Sequence, residues 1–254
     1  GLMPTLIANA ISEYGVDNLR PGDILMTNDP YLGGSHLPDM CVITPIFVDS
    51  KVIALIATMA HHVDIGGMTP GSMATDSTEI YQEGIRVPPI RLFSGRSLQH
   101  ETLALLLTNI RTADKTRGDL MAQVAANRLG ERRVLELIEE WGTEGFLNSC
   151  DALVDYGERR TRAAIAELPD GTGSFTDYLE HNGVEEAHIP ITAMVSVTGE
   201  EIVIDLTDTA DQVPGAINCS YAVAQACAAY VVKMIADPSL PSNAGLTAPI
   251  TVRT

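Results

Sequence analysis

MCVITPIFV (40–48), DSK (49–51) and VIALIATMA (52–60) decide how this chain folds. Both apolar runs are rich in β-branched residues, and three polar residues separate them. That composition predicts two antiparallel strands joined by a short loop. If Val48 faces Val52, paired residue numbers add to 100 and Asp39 falls opposite His61. Opposed residues share one face of a sheet with Cβ atoms about 4.5–5.5 Å apart, close enough for both side chains to hold one ion. A slip of one residue would send them to opposite faces, so the expectation depends on the loop length.

The segments flanking the hairpin carry the chemistry. NDPYLGGSHLPD (28–39) precedes it, and AHHVDIGG (60–67), PGSM (70–73) and YQEG (81–84) follow. Three of the six histidines lie within 27 consecutive positions, 36–62, each close to an aspartate and a Gly pair. Imidazoles and carboxylates gathered by flexible turns are what a divalent-metal site requires. His36, three residues before Asp39, is placed to close a third side of the site. A single histidine at a strand end is ordinarily a hydrogen-bonded structural residue. Here spacing, register and glycines agree, which favours a metal or catalytic role for the group. Strand alternation sends His61 and His62 to opposite faces, and the register selects His61 for the ion. His62 or Asp64 then stands behind the ligands or faces substrate. Residues 66–86 form a long Gly/Pro/Ser/Thr-rich loop, with His61 before it and Glu83 near its end, and loops of this length are commonly functional.

The length allows one large domain or two smaller ones. A net charge of −17 argues against nucleic acid and anionic membranes as partners, because a phosphate backbone needs a basic face. Four scattered cysteines without CxxC pairing predict thiols rather than a disulfide framework, and a reducing cytoplasm. Cys41 and Cys227 lie in apolar runs and are expected to be buried. No membrane-spanning run or signal peptide is visible. Both ends read as cut: 1–4 (GLMP) enters a helix uncapped, and 248–252 (APITV) begins a strand.

In chain order, a helix is expected over 5–14, a strand over 24–27, an edge strand or connector over 87–93 and a short helix over 103–110. Two helices, 117–141 and 146–168, are read as an antiparallel hairpin, with Gly130 as a bend or close packing point. Six arginines on this pair are read as a solvated, salt-bridged face. Strands over 188–197 and 201–207 and a buried Ala-rich helix over 221–236 follow. Asp205, Asp208 and Asp211 are read as solvated acids. The fold class is α+β, antiparallel hairpins with a helical hairpin insert. The regions are 1–112 (metal site), 113–170 (helical hairpin) and 171–254, the last continuous with the first as one domain. No P-loop, dinucleotide fingerprint or nucleophile elbow is present.

NDPYLGGSHLPD, AHHVDIGGMTPGSM and TEIYQEG resemble the signature of the hydantoinase B/oxoprolinase family, which includes N-methylhydantoinase B, part of 5-oxoprolinase and the α subunits of acetone carboxylases. QVAANRLGERRVLELIEEWG, IVIDLTDTADQVPGAIN and LPSNAGLTAPITV extend the resemblance over essentially the whole chain. It implies a hetero-oligomer in which an ATPase A subunit binds ATP and phosphorylates the carbonyl oxygen of a cyclic amide or ketone. The B subunit then handles the activated intermediate at a metal site. By analogy with acetone carboxylase the ligands of Zn, Mn or Fe fall on His36, Asp39 and His61, the positions the register selects. The AHHVDIGG and GGSHLPD forms favour amide ring opening, with Asp64, Glu83 and His62 as catalytic candidates and Asp64 and Glu83 for proton transfer or water orientation. A metal-dependent carboxylase and a non-catalytic partner-binding fragment are the rival readings.

Overall fold

A computed structural model describes residues 2–254; Gly1, on which part of the cut-terminus reading rests, lies outside them. The chain divides into two compact units, Met3–Phe146 and Leu147–Thr254, and the division falls inside a helical stretch.

The first unit contains helix α1 (Met3–Tyr14), strands β1 (Ile24–Thr27), β2 (Asp39–Val48) and β3 (Lys51–His61), the short helix α2 (Ile80–Glu83), strands β4 (Ile90–Ser94) and β5 (Ser97–Leu98), and helix α3 (His100–Thr108). Helix α4 (Ala113–Ile165) begins in this unit. The five strands form an antiparallel sheet in the order β3-β2-β1-β4-β5. Strand β2 reads as a continuous apolar run because both faces of the sheet are covered. Met40 and Val42 join one core with Leu103, Leu106, Leu120 and Val124. Cys41 and Ile43 join another with Leu6 and Ala10 of α1.

The hairpin reaches its expected register by an unexpected route. Val48 pairs with Lys51, not Val52, so the turn holds only Asp49 and Ser50, at φ 48° and 64°. Two left-handed residues match the strand twist in such a tight turn. Between Ile46↔Ala54 and Phe47↔Val52 the ladder shifts, leaving Ile53 as a bulge. The bulge adds back the residue that the shorter turn removed. Every pair from Ile46↔Ala54 to Asp39↔His61 therefore adds to 100.

Helix α4 lies against this hairpin through polar and small residues. The Gln123 amide donates to the carbonyls of Met40 (3.0 Å) and Thr58 (3.2 Å), and Asn127 donates to that of Val42 (2.9 Å). Gly130 is a close packing point, since a Cβ there would stand 3.1 Å from Cγ2 of Ile56. Two helical stretches meet at Gly142 (φ 73°, ψ 159°), the non-helical residue inside α4, at the break expected after residue 141.

The second unit carries the end of α4, strands β6 (Gly171–His181), β7 (Glu186–Thr198) and β8 (Glu201–Asp205), helices α5 (Tyr221–Ala236) and α6 (Ala244–Thr247), and strand β9 (Ile250–Arg253). The sheet order is β6-β7-β8-β9, with β8 and β9 parallel. Ile165, Ile202, Ile204, Ala228 and Val232 form its core. Helix α5 buries only its Ala-rich side; Tyr230, Met234 and Ile235 are exposed, and so is Cys227. The α+β class is thus borne out, with one sheet per unit. No helix among the described residues is long and apolar enough to cross a membrane.

Candidate functional site

Four local devices build the site at the open end of the β2–β3 hairpin. Asp29 caps the 3-10 turn Pro30–Leu32 by accepting from the Tyr31 amide at 3.0 Å. Gly33 then takes φ 113°, where a Cβ would meet the backbone nitrogen of Leu6 at 3.1 Å; glycine lets the chain pass α1 closely. Asn28, fully buried, joins three segments: its amide donates to the carbonyls of Leu37 (2.7 Å) and Ile85 (2.9 Å), and its oxygen accepts from the Val87 amide (2.7 Å). The His62 amide donates to the carbonyl of Pro38 at 2.8 Å and ties the strand ends together.

On this frame His36, Asp39 and His61 meet. Asp39 is the register partner of His61. Nδ1 of His36 lies 3.0 Å from Oδ2 of Asp39, and the His36 and His61 rings are 4.9 Å apart. The Ser35 hydroxyl bridges the pair, 3.1 Å from Nδ1 of His36 and donating to Asp39. Glu83 joins from the far end of the long loop. Burial raises its carboxyl above the usual range, and the charge of His36 and a hydrogen bond from Ser77 partly offset that rise.

His62 and Asp64, expected among the catalytic groups, are placed elsewhere. His62 is fully buried on the opposite side of the strand end. Because the Gln123 amide nitrogen is engaged by two carbonyls, its oxygen faces Nε2 of His62 (3.1 Å), making Nε2 the protonated nitrogen. Nδ1 is buried without a hydrogen-bond partner. Asp64, 1% exposed, accepts from the amides of Gly66 (2.9 Å), Gly71 (2.9 Å) and Arg111 (3.1 Å) and from Nη1 of Arg111 (3.0 Å). Burial alone would raise its carboxyl; these four bonds hold it below the usual carboxylate range.

The donors suit a divalent ion in kind: two imidazoles and one carboxylate. Two ligands at right angles around an ion with bonds of about 2.1 Å stand about 3 Å apart, as His36 and Asp39 do. Their hydrogen bonds to each other and to Ser35 would give way to an ion. Among the described residues, no three His, Cys, Asp or Glu side chains are already disposed as a metal cage. A cleft of the first unit, about 600 Å³ and lined by Arg96, Arg128, Arg132 and Glu139, contains none of these groups. Its Arg128 guanidinium rests on the Phe93 ring at 4.7 Å. The meeting of His36, Asp39 and His61, with the shifted Glu83 carboxyl, makes this the candidate site rather than that cleft.

Comparison with known proteins shows which family the chain resembles. A family model described as Hydantoinase B/oxoprolinase matches residues 1–254. The caprolactamase subunit beta of Pseudomonas jessenii is 35% identical over 246 residues, covering 96% of this chain and 42% of that protein. The crystal structure of that ATP-dependent caprolactamase matches with a TM-score of 0.91 at 33% identity, over 100% of this chain and 44% of that one. The 5-oxoprolinase 1 of Arabidopsis thaliana is 30% identical over 283 residues, 100% of this chain and 22% of that protein. A nucleotide-free acetone carboxylase shares the fold alone, with a TM-score of 0.87 at 19% identity over 98% of this chain and 35% of that chain. The chain therefore spans under half the length of each relative. Matched by the family model from end to end, the chain belongs to the hydantoinase B/oxoprolinase family.

Proposed function

We propose that this chain is the site-bearing part of an ATP-dependent cyclic amide hydrolase, of the kind named by its amide-hydrolysing relatives. His36, Asp39 and His61 would hold a divalent ion, Zn, Mn or Fe. When bound, such an ion supplies Lewis-acid polarisation of a carbonyl or acidifies a water. ATP would be used by an A-type partner subunit that phosphorylates the carbonyl oxygen of the ring, because the sequence carries no nucleotide-binding motif. Asp64 is assigned to holding the loop, and His62 to supporting the strand end behind His61. The four free thiols suit a reducing cytoplasm.

The observation that carries this reading is the pairing of Asp39 with His61, with His36 bridging both. The test combines the full-length protein with its ATPase partner and follows ring opening and ADP release on cyclic amides. Hydrolysis should require both proteins and ATP, and His36→Ala and Asp39→Ala should abolish it together with bound metal. Turnover by the lone chain would sink the two-part scheme. ADP formation that depends on bicarbonate and leaves amides intact would favour a carboxylase instead.

A further inference from the structure

Asp64 and Arg111 form a knot that the proposed chemistry does not use. Besides its bond to Asp64, the Arg111 guanidinium donates to the carbonyls of Gly66 (3.2 Å), Gly67 (2.5 Å) and Thr69 (3.3 Å). It gathers a turn in which Gly66, Gly67 and Gly71 all have positive φ, at 89°, 80° and 85°. The Ser72 hydroxyl closes the same turn, accepting from the Ile65 amide (2.7 Å) and donating to the Gly66 carbonyl (2.8 Å).

This turn bears directly on Glu83. The Met68 amide donates to the carbonyl of Gln82 (2.7 Å), and the Ile85 amide donates to that of Ile65 (2.9 Å). Two hydrogen bonds thus bracket Glu83 on either side. Between them Gly67 is seated so closely that a Cβ would stand 2.5 Å from the carbonyl carbon of Glu83. Only glycine fits both that approach and that φ.

We infer that Arg111, through Asp64 and the 66–71 turn, is a positioning residue that fixes where Glu83 stands relative to His36. The inference rests on the proton-transfer role expected for Glu83. A guanidinium suits the task because its fork spans a carboxylate and three carbonyls at once, which an ammonium cannot. Without it the Gly67 and Thr69 carbonyls lose their shared donor, and Gly66 keeps only the Ser72 hydroxyl. The seat under Glu83 then loosens while Asp39 and His61 stay at their strand ends and His36 in the turn before β2.

The test is a double-mutant cycle in the full-length protein with its ATPase partner. Arg111→Ala is expected to lower kcat on the order of 100-fold, the scale of an ångström of misplacement. In a Glu83→Gln background the same change should cost at most about 2-fold. Bound metal should be unchanged, and Arg111→Lys should restore part of the rate. An equal loss in both backgrounds would overturn the inference. If Glu83→Gln runs at the wild-type rate, the role of Glu83 fails instead. Hydrogen exchange at the Met68 and Ile85 amides then decides the positioning by itself: faster exchange in Arg111→Ala supports it, unchanged exchange overturns it. Should Arg111→Ala not fold, Gly67→Ala displaces Glu83 with Asp64 and Arg111 intact, and an unchanged kcat there also overturns the inference.

Discussion

Two neighbouring sets of the same residue types behave in opposite ways in this protein. His61 and Asp39 end at an exposed strand terminus, joined to His36 and Ser35 by a few hydrogen bonds. His62 and Asp64, one and three residues past His61, are 0% and 1% exposed and engaged by distant side chains, Gln123 and Arg111. His36 and Asp39 are partly exposed to solvent, whereas Asp64 has its carboxylate filled by four donors. A histidine or aspartate becomes a reactive group through what its neighbours leave unfilled, not through its type or its place in a motif.

The contrast breaks most readily at the two aspartates. Asp64→Ala should lower the unfolding free energy by about 3 kcal/mol, because it strands the Arg111 charge and three backbone donors. Asp39→Ala should change stability by less than about 1 kcal/mol, since its partners are half-exposed and reach water. Urea unfolding of the two variants checks this, with metal content as the second axis. Asp39→Ala should lose the ion and Asp64→Ala should keep it. Equal destabilisation would mean that the open site is as structural as the closed one.

The histidines sharpen the same contrast at a smaller scale. His62→Ala removes a buried ring and leaves the Gln123 oxygen without its donor, a loss of about 2 kcal/mol. His61→Ala, at an exposed position, should cost under about 0.5 kcal/mol while abolishing metal retention. Thermal unfolding and elemental analysis on one preparation of each would show whether stability and metal binding separate between adjacent residues.

Acid should read out the closed set. The folded pKa of Asp64 is lowered, so its ionised form stabilises the fold. That contribution is fully present above the unfolded carboxyl value of about 3.9 and is lost as pH falls through the lower folded value. The stability difference between wild type and Asp64→Asn should therefore stay level from about pH 6 to 8 and shrink below about pH 4. A difference that grew on acidification would mean the carboxyl is raised, contrary to the four donors around it.

The open set is legible in the sequence and the closed set is not. His36, Asp39 and His61 are related by a turn and a hairpin, where a period of two fixes the face of each residue. Even there the reading holds only because a two-residue turn and a bulge at Ile53 offset each other. The partners of His62 and Asp64 lie 61 and 47 residues away, and no local pattern carries that distance. Strand β6 (GTGSFTDYLEH) escapes a sequence reading because it is exposed on both faces and lacks the alternation that a half-buried strand imposes. The break between the two helical stretches is legible, because Gly142 follows the last periodic residues of the first and is the non-helical residue inside α4. The unforeseen exposure of Tyr230, Met234 and Ile235 on α5 shows that apolar content alone does not tell which side of a helix a unit buries.

The smallest effect tests the route by which Asp39 and His61 come to face each other. Asp49 and Ser50 both sit at positive φ without being glycine, a conformation that costs a side chain about 1 kcal/mol. Ser50→Gly should relieve about half of that, since glycine also loses more entropy on folding, and raise Tm by about 1–2 °C. Because the bulge and every pair beyond Ile46↔Ala54 lie outside the turn, metal content and turnover should not move. A stabilised variant that lost its ion would mean the turn itself, rather than the ladder beyond the bulge, sets the register that brings Asp39 to His61.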